Sequence, residues 1–189
     1  SEEERVRICR ELGQFHAEIG TEISKVVAQK IGIKIDESLD IHPESIKDCQ
    51  AVLASVDVPE EFKALAREAR TLLDGTLDKG VFQFIHNDAH HENIIIKDKD
   101  ISGIIDFGNS EYGEVAKEFS RYIRDFPNYF THIVSAYEEH SGNKLSYQRL
   151  VSYSLLSGLI DIVEDYRKGG DYRVKAEEAV AVYKKLIRA

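Results

Sequence analysis

The sequence predicts an α+β fold that is mainly α-helical, with one short β-hairpin near its middle. Apolar residues recur at steps of three and four along most of the 189-residue chain, which is the period of one helix face. Two runs rich in β-branched residues, 94–96 and 101–105, flank the polar residues 97–100, which is the pattern of a hairpin. With 42% hydrophobic residues the chain can bury one substantial core, so we expect a single domain over residues 1–189.

Two helices and a strand are predicted before the hairpin. Residues 2–29 are predicted as one long amphipathic helix. Its apolar stripe consists of Ile8, Leu12, Phe15, Ile19, Ile23 and Val26. A second helix is predicted to begin at Asp57–Glu60, with Asp57 as its cap, and to end at Asp74-Gly75. Residues 81–85 form a short apolar strand that leads into a polar loop.

Four helices are predicted after the hairpin. The first starts at about Glu114 and ends at Pro127, because proline cannot continue a helix. The second covers about 128–140, and the third begins after Ser146 and is broken by Gly169-Gly170. The last helix begins at Asp171 and is amphipathic.

The polar loop carries the residues with the clearest chemistry. Asp88 and Asn93 come just before the first hairpin strand, and Asp106 follows the second. Antiparallel pairing brings these two ends together, so we expect two carboxylates and one amide oxygen to converge. Such oxygens suit Mg²⁺ that is bound together with substrate phosphates. Phosphoryl transfer needs little more from this region than that metal and an Asp that orients and deprotonates the attacking hydroxyl.

The residues of this loop also resemble a known family. His86-x-Asp88-x-x-x-x-Asn93, followed by Ile105-Asp106-Phe107-Gly108, is similar to the motifs of the aminoglycoside phosphotransferase and choline kinase-like family, which are relatives of protein kinases. The segment 113–120 lies where that family has a Gly-Asp-Pro-Ala-x-Asp-Leu-Ala stretch. The sequence departs from the family pattern at His91 and Glu92, which replace Pro-Gly, and at Glu118, which replaces Asp.

The resemblance implies a kinase-like C-terminal lobe and a phosphotransferase activity. The expected reaction moves the γ-phosphoryl group of ATP or GTP onto a hydroxyl of an aminated small molecule, with an aminoglycoside-like acceptor as the first expectation. Asp88 is expected to be the catalytic base, and Asn93 and Asp106 the Mg²⁺ ligands. Choline, amino alcohols and sugar amines remain alternative acceptors, and the sequence does not decide between ATP and GTP.

Several further residues have expected roles. His86 is expected to pack behind the loop and to bond a backbone carbonyl, and Glu118 to accept backbone N–H groups of the loop. In kinase relatives, Ile95 and Ile105 occupy positions that form the floor under the adenine, so we expect them to bind nucleotide. An acidic pocket for an aminated acceptor is expected from five carboxylates. These are Glu111, Glu114, Asp161, Glu164 and Asp165.

The N-terminal nucleotide-binding lobe of complete family members has no counterpart that can be recognised before Asp88. The chain is therefore expected to be a C-terminal lobe whose partner is the missing lobe, and this isolated lobe is expected to be inactive. A catalytically silent kinase-like binding module is the alternative function. A zinc hydrolase built on His86, His90 and His91 is disfavoured, because adjacent histidines cannot easily bind one metal together.

Composition limits the expected partners. The formal net charge is −9, which argues against a nucleic-acid partner. Cys9 and Cys49 are not in a paired motif and suit a reducing cytosol, so a cytoplasmic protein is expected. Because no apolar run approaches the roughly 20 residues that span a bilayer, no membrane partner is expected.

Overall fold

The computed structural model describes residues 1–37, 51, 53–54, 56–74 and 80–187 and is a mainly helical α+β structure, as predicted. The helices are α1 (Glu2–Glu22), α2 (Lys25–Lys30), α3 (Glu60–Asp74), α4 (Val115–Asp125), α5 (Phe130–Ser141), α6 (Tyr147–Lys168) and α7 (Tyr172–Ile187). The strands are β1 (Lys34–Ile35), β2 (Phe82–Ile85), β3 (Ile94–Lys97), β4 (Asp100–Ile104) and β5 (Glu111–Glu114).

The chain forms two compact units. Unit 1 comprises Ser1–Ser38 and Lys79–Ser146, and unit 2 comprises Leu39–Asp78 and Tyr147–Ala189. The organisation of residues 1–189 as a single domain therefore stays a prediction. Within the part of the chain that the structure describes, no helix is both long and apolar enough to cross a membrane.

The predicted hairpin is present in unit 1 as β3 and β4. Asp98 and Lys99 form its turn with φ values of 51° and 73°, as expected for a two-residue hairpin turn whose central residues both need positive φ. The register shifts between Ile95 and Ile96, so that Ser102 is an extra residue on β4. This bulge bends the hairpin close to the end that carries the polar loop.

The strand β5 was not predicted, and it organises the second sheet of unit 1. The strand order is β1-β5-β2, with β1 parallel and β2 antiparallel to β5. Three of its four residues, Glu111, Gly113 and Glu114, have low strand propensity. The pairing partners on either side, rather than local preference, therefore determine this strand. The following helix, α4, buries Val115, Phe119, Tyr122 and Ile123 completely.

The prediction of one helix over residues 2–29 was wrong. Helix α1 ends at Glu22, and α2 begins after Ser24, whose side chain accepts a hydrogen bond from the Val27 backbone N–H. The predicted stripe was also displaced, since Val26 is 58% exposed. The residues that α1 buries are Cys9, Leu12, Gly13, His16 and Ala17.

Close helix packing explains this shift. A Cβ at Gly13 would lie 2.2 Å from the Ile133 carbonyl oxygen of α5, so only glycine allows this approach. Small residues on one face of α1 thus permit the closest contact with α5, and the larger apolar residues lie beside that contact. Hydrophobic periodicity alone does not reveal such a contact.

Unit 2 is built from α3, α6 and α7. Its core includes Phe62 and Ala66 on α3, Leu159 and Val163 on α6, and Val180 on α7. Helix α6 ends where predicted, with Gly169 at φ +72°.

Helix α3 begins at Glu60, the last residue of the predicted start. Asp57 lies three residues before it, and its carboxylate pairs with Arg173 of α7. The end of α3 at Asp74 is as predicted, and Gly75 lies outside the described residues.

Candidate active site

The polar loop connects β2 to β3 and lies against the end of β4. A 3₁₀ turn, His91–Asn93, closes the loop. The Asn93 side-chain nitrogen donates a hydrogen bond to the Asp88 carbonyl oxygen at 2.9 Å, and the Ile105 backbone N–H donates to the Asn93 carbonyl oxygen at 3.0 Å. Backbone pairing at the base of the hairpin thus places Asn93 beside the segment that ends at Asp106.

The Asp88 carboxylate is held on both of its oxygens. Its Oδ1 lies 2.7 Å from Nη1 of Arg121 on α4, and its Oδ2 accepts a hydrogen bond of 3.1 Å from the Asn109 side-chain amide. The His90 Nε2 atom is 3.9 Å from the same Oδ1. The side chain is partly exposed, so its carboxylate is accessible from solvent.

His86 supports the loop from behind. Its Nδ1 accepts a hydrogen bond from the Asp88 backbone N–H at 3.2 Å, and its Nε2 is 2.9 Å from the Ile105 carbonyl oxygen, which requires the proton on Nε2. The ring also packs on Phe107, with a centroid distance of 4.4 Å. Burial lowers the pKa of His86, so the neutral imidazole is favoured. With both nitrogens in use, His86 has no nitrogen left for a metal.

Glu118 organises the backbone of the loop. Its buried carboxylate accepts a hydrogen bond from the backbone N–H group of Asn87, and the backbone N–H groups of Ala89 and His86 also favour its ionised form. Asn87 has φ 62°, a left-handed conformation that asparagine tolerates better than most residues. Burial raises the pKa of Glu118 to about 7, against the opposing effect of these N–H donors.

The raised pKa of Glu118 predicts a pH-dependent stability. The pKa of Glu118 in the folded state, about 7, exceeds the ordinary value of 4.5, so between these values the folded state binds more protons than the unfolded state. The stabilisation that protonated Glu118 gives to the folded state is therefore complete below pH 4.5 and is lost as the pH rises through 7. Relative to Glu118→Gln, the wild type should lose up to about 3 kcal/mol of unfolding free energy across this window. Urea unfolding of both proteins from pH 4.5 to 8 measures it, with Glu92→Gln at an exposed position as the control. A difference that does not vary with pH would contradict the raised pKa.

Asn93 and Asp106 have the donor chemistry that Mg²⁺ requires. The Asn93 side-chain nitrogen donates a hydrogen bond to the Asp88 carbonyl oxygen, which leaves Oδ1 as the side-chain atom that could bind a metal. Asp106 is exposed and adopts φ 63° and ψ 63°, which turns the chain at the end of the hairpin. Among the described residues, no group of three or more His, Cys, Asp or Glu side chains could hold a metal. Two protein oxygens fit an ion whose other ligands are phosphates and water, as Mg²⁺ prefers.

Four exposed apolar side chains lie on the hairpin or directly after it. We define the hairpin patch as Ile95, Ile96, Ile105 and Phe107, whose exposed fractions are 45%, 46%, 47% and 43%. Ile95 pairs with Gly103, which has no side chain to cover it. The two isoleucines expected to bind nucleotide are therefore accessible.

The five carboxylates expected to form an acidic pocket lie in different environments. Glu111 and Glu114 are buried in β5 of unit 1, and Glu111 pairs with Lys34 at 2.8 Å and with Lys117 at 3.7 Å. Neither residue is exposed to solvent.

The remaining three carboxylates are on α6 of unit 2. Asp161 and Glu164 are exposed there, and Glu164 pairs with Lys168. Asp165 pairs with Lys175.

Two contacts of Asp88 were missed by the sequence analysis. Neither Asn109 nor Arg121 was expected to have a role in the site. The helical spacing contained a usable signal for Arg121, because Glu118 and Arg121 are three residues apart and share one helix face. No comparable signal points to Asn109, since its contact depends on the 3₁₀ turn Phe107–Asn109.

Solved structures of phosphotransferases share this fold. A choline/ethanolamine kinase family protein from Mesorhizobium loti matches with a TM-score of 0.69 and 17% identity, over 96% of this chain and 61% of that one. A macrolide 2′-phosphotransferase from Brachybacterium faecium matches with a TM-score of 0.63 and 16% identity, over 94% of this chain and 59% of that one. The GDP and kanamycin complex of APH(2")-IIia matches with a TM-score of 0.62 and 13% identity, over 97% of this chain and 61% of that one.

These likenesses establish the fold, and the chain spans about three fifths of the length of these proteins. The search of curated proteins found no match. The model of the phosphotransferase enzyme family APH matches residues 1–150. The predicted resemblance is thereby confirmed, and the chain belongs to this phosphotransferase family.

Proposed function

We propose that the protein to which this chain belongs transfers the γ-phosphoryl group of ATP or GTP to a hydroxyl group of a small molecule. The observation that carries this proposal is the fixed and accessible carboxylate of Asp88 beside Asn93. In a loose phosphoryl-transfer transition state, orientation of the hydroxyl contributes more than the basicity of the accepting group. Asp88 is proposed to orient that hydroxyl and to take its proton.

The metal and nucleotide sites are proposed at the base of the hairpin. Asn93 and Asp106 would hold Mg²⁺, which when bound neutralises charge on the phosphates of the donor. Ile95 and Ile105 of the hairpin patch would pack under the nucleotide base, and burial of their exposed surface would favour binding. In support of nucleotide as the donor, two solved relatives are described as GDP complexes. The other wall of the nucleotide site is proposed to come from an N-terminal lobe that is not in this sequence.

An aminated acceptor remains the proposal for the substrate class. The related structures are described as a kanamycin complex, a macrolide phosphotransferase and a choline/ethanolamine kinase family protein. Attraction of an ammonium group by acidic side chains is part of this proposal, and the buried Glu111 and Glu114 are the least suited of the five expected carboxylates.

The proposal is tested by a transfer assay with the full-length protein. ATP and GTP are supplied with Mg²⁺, and kanamycin, erythromycin, choline and ethanolamine are tested as acceptors by mass spectrometry. We expect at least one acceptor to gain a single phosphoryl group, with Asp88→Asn as the inactive control. A protein that binds nucleotide but phosphorylates none of the acceptors would contradict the proposal and favour the silent binding module.

A further inference from the structure

One face of α4 is directed at the polar loop. Glu118, Arg121 and Asp125 are spaced three and four residues apart, which aligns their side chains along the helix. Glu118 accepts backbone N–H groups of the loop, and Arg121 contacts the side chain of Asp88 at 2.7 Å. Asp125 lies 3.6 Å from the Arg121 Nε and restrains the guanidinium from the other side. One helix thus contacts both the loop backbone and its acidic side chain.

Packing fixes the position from which Arg121 reaches Asp88. The opposite face of α4 places Val115, Phe119, Tyr122 and Ile123 in the core of unit 1, with no measurable exposure. The Arg121 side chain is 35% exposed, but its Nε atom is buried and makes no hydrogen bond to the described residues. The guanidinium is therefore held against the loop and is not a freely moving surface group.

We propose that Arg121 is a positioning residue for Asp88, and this inference rests on the proposed function of Asp88. Arg121 holds Oδ1 while Asn109 holds Oδ2, so the plane of the carboxylate is set from two sides. An ionised carboxylate has about four acceptor sites, so sites remain for the hydroxyl of the phosphoryl acceptor. The cationic partner is compatible with the role of Asp88, because orientation matters more than basicity in this chemistry.

A double-mutant cycle in the full-length protein tests the inference. The variants are Arg121→Gln, Asp88→Asn and the combination of both. The reaction is transfer to whichever of kanamycin, erythromycin, choline and ethanolamine the wild type uses best. Arg121→Gln should lower kcat about tenfold or more, without changing the KM for nucleotide, because misplacing a reacting group costs on this scale. In the Asp88→Asn background, Arg121→Gln should change kcat less than about twofold, since the effects of mutating residues that act as a unit are not additive.

Further readouts separate positioning from a general structural role. Arg121→Lys should retain part of kcat, because it keeps the charge but loses the planar fork. Added guanidinium ion at millimolar concentration should partly restore Arg121→Ala. The side-chain amide resonance of Asn109, observed with selective labelling, should shift in Arg121→Gln because its acceptor is reoriented. Arg10→Gln, which breaks an exposed pair with Glu139 instead, is the matched control and should leave all these readouts unchanged.

The outcomes distinguish this inference from the proposed function. An equal fall in kcat from Arg121→Gln in both backgrounds would show a structural role and overturn the inference. An unchanged kcat in Arg121→Gln, together with an inactive Asp88→Asn, would overturn the role of Arg121 alone. An active Asp88→Asn would instead overturn the proposed role of Asp88, on which the inference rests.

Discussion

Replacing Asp88 with Asn in the full-length protein is expected to lower turnover by roughly 10² or more, the usual scale for a positioned general base. The change keeps the size of the side chain but removes its charge and its capacity to take a proton. Nucleotide binding should be nearly unchanged, because Asn93 and Asp106, and not Asp88, are the proposed metal ligands. The fold should also persist, since the buried contacts of the loop are made by His86 and Glu118.

Steady-state kinetics with calorimetry of nucleotide binding measures this effect. Asp98→Asn is a matched control on the same hairpin, since Asp98 lies exposed in the turn at φ 51° and asparagine also tolerates this conformation. The control should keep full activity. If Asp88→Asn retained near-full transfer to every acceptor, some other group would have to position the hydroxyl.

The second large effect is expected at Asp106. Asp106→Ala should weaken Mg²⁺-dependent nucleotide binding as well as turnover, because it removes a proposed metal ligand that carries charge. Alanine also fits the left-handed conformation of this residue poorly, at a cost of about 1–2 kcal/mol. Asp106→Asn is therefore the sharper variant, since it keeps φ 63° accessible and removes the charge alone.

The signature of the Asp106 effect is its dependence on metal. Calorimetry with ATP or GTP should show at least about a tenfold loss of affinity in Asp106→Asn when Mg²⁺ is present, equal to about 1.4 kcal/mol. With the metal chelated, the variant and the wild type should bind nucleotide alike. An equal loss of affinity with and without Mg²⁺ would show that Asp106 acts on the fold or on the nucleotide directly, and not through a metal.

Local sequence patterns were sufficient to predict most of the helices and the hairpin. Glycine and proline ended α4 and α6 near the predicted positions, and the positive φ values of the hairpin turn fall on the predicted polar residues. These features depend on neighbours in sequence, which propensity and periodicity describe well. The loop between β2 and β3 was also recognisable, because its motif has fixed spacing.

The errors occurred where partners distant in sequence decided the structure. The strand β5 forms because β1 and β2 provide its hydrogen-bonding partners. Gly13 becomes a contact residue only because Ile133 lies against it. In each case a long-range contact outweighs a weak local preference.

The sequence by itself determined that this chain has a kinase-like phosphotransferase fold, because the spacing of Asp88, Asn93 and Asp106 around a hairpin is a local pattern. Only the tertiary structure decided which side chains surround the Asp88 carboxylate. Arg121 is 33 residues away in sequence and reaches Asp88 only after the core packing of α4 has oriented the helix. The tertiary structure also decided that Glu111 is buried beside Lys34 and Lys117, because sheet pairing sets which way each side chain of β5 faces.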